Sequence, residues 1–204
     1  MYINLRRYAQ LGAGKAVIEH SVETDLLPEL QKQPGFKAYC AFWDQHGAGV
    51  SMSLFDDAEA AHESTDAVRR WVMHHQDFFP ERGEEFAGEC FAYAVAHGQE
   101  QSQGGAKRAL YVLIRELDNV PGTQDTQAFV QQRTLPMITR SPGFRGVYTA
   151  RHDETGSRAA VVTLFDEERQ ALACHEKAVE LLKEGLPKVA VTRVVRGESV
   201  ILRM

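Results

Sequence analysis

The chain has 204 residues, 44% of them hydrophobic and 25% charged, and a net charge of −5. That is the composition of an ordinary globular chain. Its Lys and Arg are scattered, which argues against a nucleic-acid surface, and no apolar run approaches the ~20 residues of a membrane span. Met1–Gln10 reads as a strand with two arginines rather than a basic start and an apolar signal core, so the expected location is the cytoplasm. Cys40, Cys90 and Cys174 form no CxxC pair, and Cys40 and Cys90, in strand-like runs, are expected as buried free thiols.

Tyr2–Tyr8 opens the chain as a strand, and a turn containing glycine follows. Ala16–Gln33 reads as a helix with Val17, Leu26, Leu27 and Leu30 among its apolar positions, bent or interrupted at Pro28 and ended by Pro34-Gly35. Phe36–Trp43 and Gly49–Phe55 flank a short turn as a hairpin, Asp57–Phe79 reads as a second helix, and Gly88–Val95 as a closing strand. His97–Gly105 contains no large apolar residue and reads as a linker. The second half repeats the series: strand Ala109–Glu116, helix Thr126–Arg140 around Pro136, hairpin Phe144–Arg151 with Arg158–Phe165, helix Glu167–Lys183 and strand Gly197–Arg203.

The halves also share residues in register. Pro34-Gly35-Phe36 matches Pro142-Gly143-Phe144 at an offset of 108, and Leu54-Phe55-Asp56 matches Leu164-Phe165-Asp166 at 110. Arg7 and Arg115 match at 108. The expected organisation is a tandem duplication: module 1 over 1–96, a linker over 97–107 and module 2 over 108–204. Each module has the order βαββαβ, so the fold class is α+β with two ferredoxin-like modules. A module this small cannot leave an apolar sheet face wet. The antiparallel sheets are therefore expected to pack face to face as a pseudo-dimeric α+β barrel, an internal pairing that leaves a homodimer open.

The Pro-Gly-Phe before the second strand and the Leu-Phe-Asp that ends the third, each present twice, resemble the dimeric α+β barrel superfamily, in particular its antibiotic-biosynthesis-monooxygenase-like branch. The resemblance covers nearly the whole chain. It implies a pocket between sheet and helices of one module, and activities that include cofactor-independent monooxygenation of polycyclic phenols and haem degradation. In haem-degrading relatives a helix histidine follows the strand-ending aromatic by about 19 residues, which lands on His74 (for the helix rise,). Those relatives also carry a helix Trp where this chain has Ser64, and a first-strand Asn at what reads as Arg7.

The helix of the first half carries the richer chemistry. At ~100° per residue, Ala60, Ser64, Val68, Trp71, His75 and Phe78 share one inward arc, with His74 toward its edge. His75 is the candidate general base, Arg7 the candidate anion stabiliser, and Trp71, Phe78, His74 and Ser64 the candidate substrate contacts. Alternation places Asn4, Arg6 and Tyr8 on one strand face and Ile3, Leu5 and Arg7 on the other. Gly12-Ala13-Gly14-Lys15 lacks the spacing of a phosphate loop, no GxSxG elbow occurs, and adjacent His74 and His75 cannot aim at one metal from a regular helix. The expected function is monooxygenation of an aromatic or quinol-like small molecule without a cofactor. The alternatives are a non-catalytic ligand-binding or stress-related barrel, and a haem-binding or haem-degrading protein.

Overall fold

The computed structural model describes residues 1–96, 109–122, 124–152 and 155–203, so the expected linker lies outside the described residues. The chain forms two compact units, one of Met1–Glu89 with Ser199–Met204 and one of Cys90–Glu198. Their boundaries fall inside two long strands rather than at the linker.

Unit 1 contains β1 (Tyr2–Tyr8), α1 (Lys15–Ser21), a π-helical turn (Val22–Leu26), α2 (Leu27–Gln31), β2 (Phe36–Trp43), β3 (Gly49–Phe55), α3 (Ala58–His74) and the first part of β4 (Glu84–Val95). β1 lies between β4 and β3, β2 lies on the far side of β3, and the end of β8 (Ala190–Arg203) pairs with β2, all antiparallel. Unit 2 repeats the order with β5 (Tyr111–Asp118), α4 (Gln124–Phe129), a π-helical turn (Val130–Thr134), α5 (Leu135–Thr139), β6 (Phe144–His152), β7 (Ala159–Phe165), α6 (Glu168–Gly185) and the first part of β8. Its strand neighbours run β8–β5–β7–β6–β4. The mixed α+β class and the βαββαβ order read from the sequence are both present. The closing strands are longer than their apolar runs indicated, because Glu84–Ala87 and Ala190–Arg196 also find ladder partners.

The two prolines act as their chemistry requires. Pro28 and Pro136 have no N–H to return to the preceding turn, and their rings crowd it. The chain widens just before each one: the Leu27 amide bonds the Val22 carbonyl and the Leu135 amide bonds the Val130 carbonyl, five residues back. Both repeated motifs meet at one junction. Gly35 and Gly143 take φ of +70°, which favours glycine, and their carbonyls accept the amides of Asp56 and Asp166 at 2.8 and 2.9 Å. Pro-Gly-Phe and Leu-Phe-Asp are thus two sides of one contact.

Phe55 and Phe165 are fully buried and anchor the cores under the helices. Their pairing fixes the register of the first strands. Tyr2 lies opposite Phe55 and Tyr111 opposite Phe165, so Arg6 faces Ser51 where Arg115 faces Val161. This corrects the match of Arg7 with Arg115. The partner of Arg115 in unit 1 is Arg6, and Arg7 corresponds to Glu116. The offset is one residue larger on the first strands than on the proline-bearing helices that follow them, and polar side chains alone do not reveal that slip.

The α3 helix starts on Asp57, whose side chain accepts the Ala60 amide, and ends at His74. His75 leaves helical geometry, so His75 and Phe78 stand in the following turn rather than on the helix. All three cysteines are buried and free. Burial pushes the Cys40 thiol up to about 12, which keeps it protonated. Among the described residues, no helix is long and apolar enough to cross a membrane.

Candidate active site

Unit 1 holds a cavity of about 50 Å³ between the sheet and the α1, π-turn and α3 elements. Alternate strand positions point into it: Arg6 and Tyr8 from β1, Tyr39 and Trp43 from β2, Ser51 from β3. Glu19 comes from α1, Trp71 from α3, and Phe79 from the turn beyond. Gly49 makes room for the wall, since a Cβ there would sit 3.1 Å from the Trp43 ring.

Arg6 is 6% exposed, and its Nη2 donates to Thr65 Oγ1 at 3.2 Å while its Nε lies 3.9 Å from Glu85. It therefore keeps part of its hydrogen-bonding capacity for the cavity. Desolvation raises the Tyr8 and Tyr39 phenols, so both are protonated donors at neutral pH. Trp43 Nε1 donates to Glu19, and Lys15 Nζ lies 5.1 Å above the Trp43 ring. The Trp71 indole N–H is buried with no partner, a donor that a ligand can satisfy.

The candidates read from the sequence are scattered around this cavity. Trp71 lines it. Phe78 packs against the same core without lining it. Ser64 is fully buried, and its hydroxyl donates to the Ala61 carbonyl at 2.7 Å, within its own helix. His74 is exposed and donates from Nδ1 to the Arg70 carbonyl. His75 stacks on Trp71 at 4.5 Å between ring centroids, donates from Nδ1 to the Trp71 carbonyl at 2.8 Å, and places Nε2 3.2 Å from Ser21 Oγ. Ser21 in turn donates to Asp25, a bond that holds the Asp25 carboxyl below its usual range. His75 thus lies behind Trp71 and outside the cavity lining. Arg7 is bound to Asp44 at 3.0 Å and Glu84 at 3.3 Å. Arg6, Glu19, Tyr8, Tyr39 and Trp43 were not singled out from the sequence. The alternation of β1, which sets Arg6 beside Tyr8, was the available signal for two of them.

Unit 2 holds a cavity of about 40 Å³ in the corresponding place, lined by Arg115 and otherwise mostly apolar. Neither lining includes a histidine or cysteine to hold haem iron, so these two cavities as lined offer no axial ligand for haem. No cluster of metal-ligating side chains occurs among the described residues.

No family model and no curated protein matches the chain. Solved structures do. A candidate monooxygenase of Fusobacterium nucleatum superposes with a TM-score of 0.75 at 8% identity, covering 99% of this chain and 93% of that one. An anthrone oxidase-like protein reaches 0.64 at 11% identity, covering 99% and 92%. A heme-binding protein of Thermus thermophilus reaches 0.58 at 12% identity, covering 98% and 91%. At such identities the likeness establishes the shared α+β fold, and the chemistry rests on the residues around the cavity.

Proposed function

We propose that unit 1 is the oxygenase centre of a small-molecule monooxygenase that needs no bound cofactor, acting on a single-ring phenol or quinol. The whole chain is read with it as two copies of one ferredoxin-like module, only one of which carries this chemistry. The observation that supports the reading is the cavity itself. Aromatic walls from Tyr8, Tyr39, Trp43, Trp71 and Phe79 enclose one guanidinium, Arg6, and one carboxylate, Glu19. A volume of about 50 Å³ suits one ring better than three, because pockets that bury drug-sized ligands run to roughly 300–1,000 Å³.

Glu19 takes the proton of the substrate hydroxyl. Arg6 and the tyrosine hydroxyls stabilise the resulting phenolate. The aromatic walls keep water from the electron-rich ring. Dioxygen is the oxidant: a ring carbon that bears hydrogen, para to the hydroxyl in a phenol or ortho to it in a quinol, exchanges that hydrogen for one oxygen atom, the phenol becomes a quinone and the quinol a hydroxyquinone, and the second oxygen atom leaves as water. The substrate supplies all the electrons. His75 contributes by bracing Trp71 through its stack and its bond to the Trp71 carbonyl.

The test is oxygen uptake by the purified chain against single-ring phenols, hydroquinones and anthrone-like tricycles, with wild type, Glu19→Gln and His75→Ala and no added cofactor. Saturable uptake with single-ring substrates, reduced about 100-fold in Glu19→Gln and only a few-fold in His75→Ala, is expected. Uptake abolished in His75→Ala but retained in Glu19→Gln would move the base to His75 and overturn this geometry. No uptake at all would favour the second reading, a non-catalytic binding module, for which the small cavity also speaks.

A further inference from the structure

Arg115 is the largest of the fully buried side chains, 1% exposed, yet its Nη1 and Nη2 have no hydrogen-bond partner. Arg6 at the matching place in unit 1 has Thr65 and Glu85. Both are replaced in unit 2. The residue across the ladder from Arg6 is Glu85, and the one across from Arg115 is Val194. Counting from Asp56 and Asp166, Thr65 corresponds to His175. Its neighbour Cys174 supplies no counter-charge, because burial raises that thiol and keeps it protonated. Burial draws the guanidinium down to about 10, so it keeps its charge at neutral pH.

A buried cation without a counter-charge is costly. Water in the cavity can meet its N–H groups but leaves the charge uncompensated. The cavity that Arg115 lines carries a second unsatisfied group, Thr134 Oγ1 on the π-helical turn. The rest of its wall is largely apolar, with Leu117, Val130, Ile138 and Leu182 among the contributors.

We propose that unit 2 is a binding site for a small monocarboxylate with a short apolar body, its carboxylate seated on the two free Nη groups of Arg115 and on Thr134 Oγ1. Two parallel N–H donors match the two oxygens of a carboxylate. Phosphate would leave oxygens unpaired against the aliphatic wall, and chloride would leave that wall uncovered. A cavity of about 40 Å³ restricts the body to a few carbons. The site does not depend on the oxygenase reading of unit 1.

Titration calorimetry of the full chain, dialysed free of carboxylates, tests it with acetate, propionate, butyrate and valerate against propionamide and phosphate. Saturable binding of the short carboxylates is expected, with propionamide and phosphate much weaker. Arg115→Met should weaken binding about 100-fold and Thr134→Val about 10-fold. Val194→Glu, which supplies an internal carboxylate across from Arg115, should abolish binding while leaving the chain folded, and keeps the test open if Arg115→Met fails to fold. Binding unchanged in Arg115→Met, phosphate binding as tightly as propionate, or no carboxylate binding to wild type would each overturn the proposal.

Discussion

Arg6 and Arg115 occupy the same place on the first strands of two units with the same element order, and both are buried. Arg6 has a hydroxyl at 3.2 Å and a carboxylate at 3.9 Å, while Arg115 has neither. The arginine is the same, and two neighbours decide what it does. Where Thr65 and Glu85 are present, the charge is held as part of the structure and shares a cavity with aromatic rings. Where His175 and Val194 stand instead, the charge is left for something outside the chain. A difference between repeated units is therefore better sought in the partners of a retained residue than in the residue itself.

The comparison can be broken at its foundation. Phe55→Ala and Phe165→Ala each remove a fully buried ring from equivalent junctions and should each cost about 3–5 kcal/mol in chemical denaturation. A large inequality between them would mean that the two frameworks are not equivalent, and the arginines then not comparable. On equal frameworks, Arg115→Met should stabilise the ligand-free chain by about 2 kcal/mol, because it replaces an unpaired buried charge by an apolar side chain. For a chain of this length that is a rise in Tm of about 5 °C, and a fall would show that Arg115 has a partner after all. Val194→Glu should stabilise by about 1 kcal/mol by pairing the charge. Arg6→Met should do the opposite of Arg115→Met, destabilising by about 1 kcal/mol or less, since it removes a satisfied hydrogen bond and leaves Glu85 free to reach water. Opposite signs for the two arginine variants, read in the same melting experiment, are the sharpest form of the difference.

Much of the framework was legible in the sequence. Three strands, Tyr2–Tyr8, Phe36–Trp43 and Gly49–Phe55, have the bounds their patterns gave, because alternation over a short run bounded by turn residues is a strong signal. The interruptions at Pro28 and Pro136 followed from the missing N–H. The site was less legible for two physical reasons. A helix wheel assumes that the helix continues, and α3 stops at His74, so His75 and Phe78 left the arc on which they were counted. A sequence offset also assumes constant register, and the slip between first strand and helix hid the match of Arg6 with Arg115. The clue in unit 2 was present all the same: Tyr111, Leu113, Arg115 and Leu117 alternate on one strand face, a lone charge in a row of aromatic and aliphatic side chains.

The π-helical turns have a consequence for how the chain tolerates change in length. An α-helix advances about 100° per residue, so removing one residue from Val22–Leu26 would turn Lys15–Ser21 by about that angle relative to everything after Leu27. Ile18 and Glu19 would swing off the cavity. The same deletion in Val130–Thr134 would carry Gln124–Phe129 out of phase. The extra residue in each turn works as the indexing tooth of a screw. Insertions and deletions there are changes of side-chain aim, silent in the loops a few residues away and decisive within those five positions.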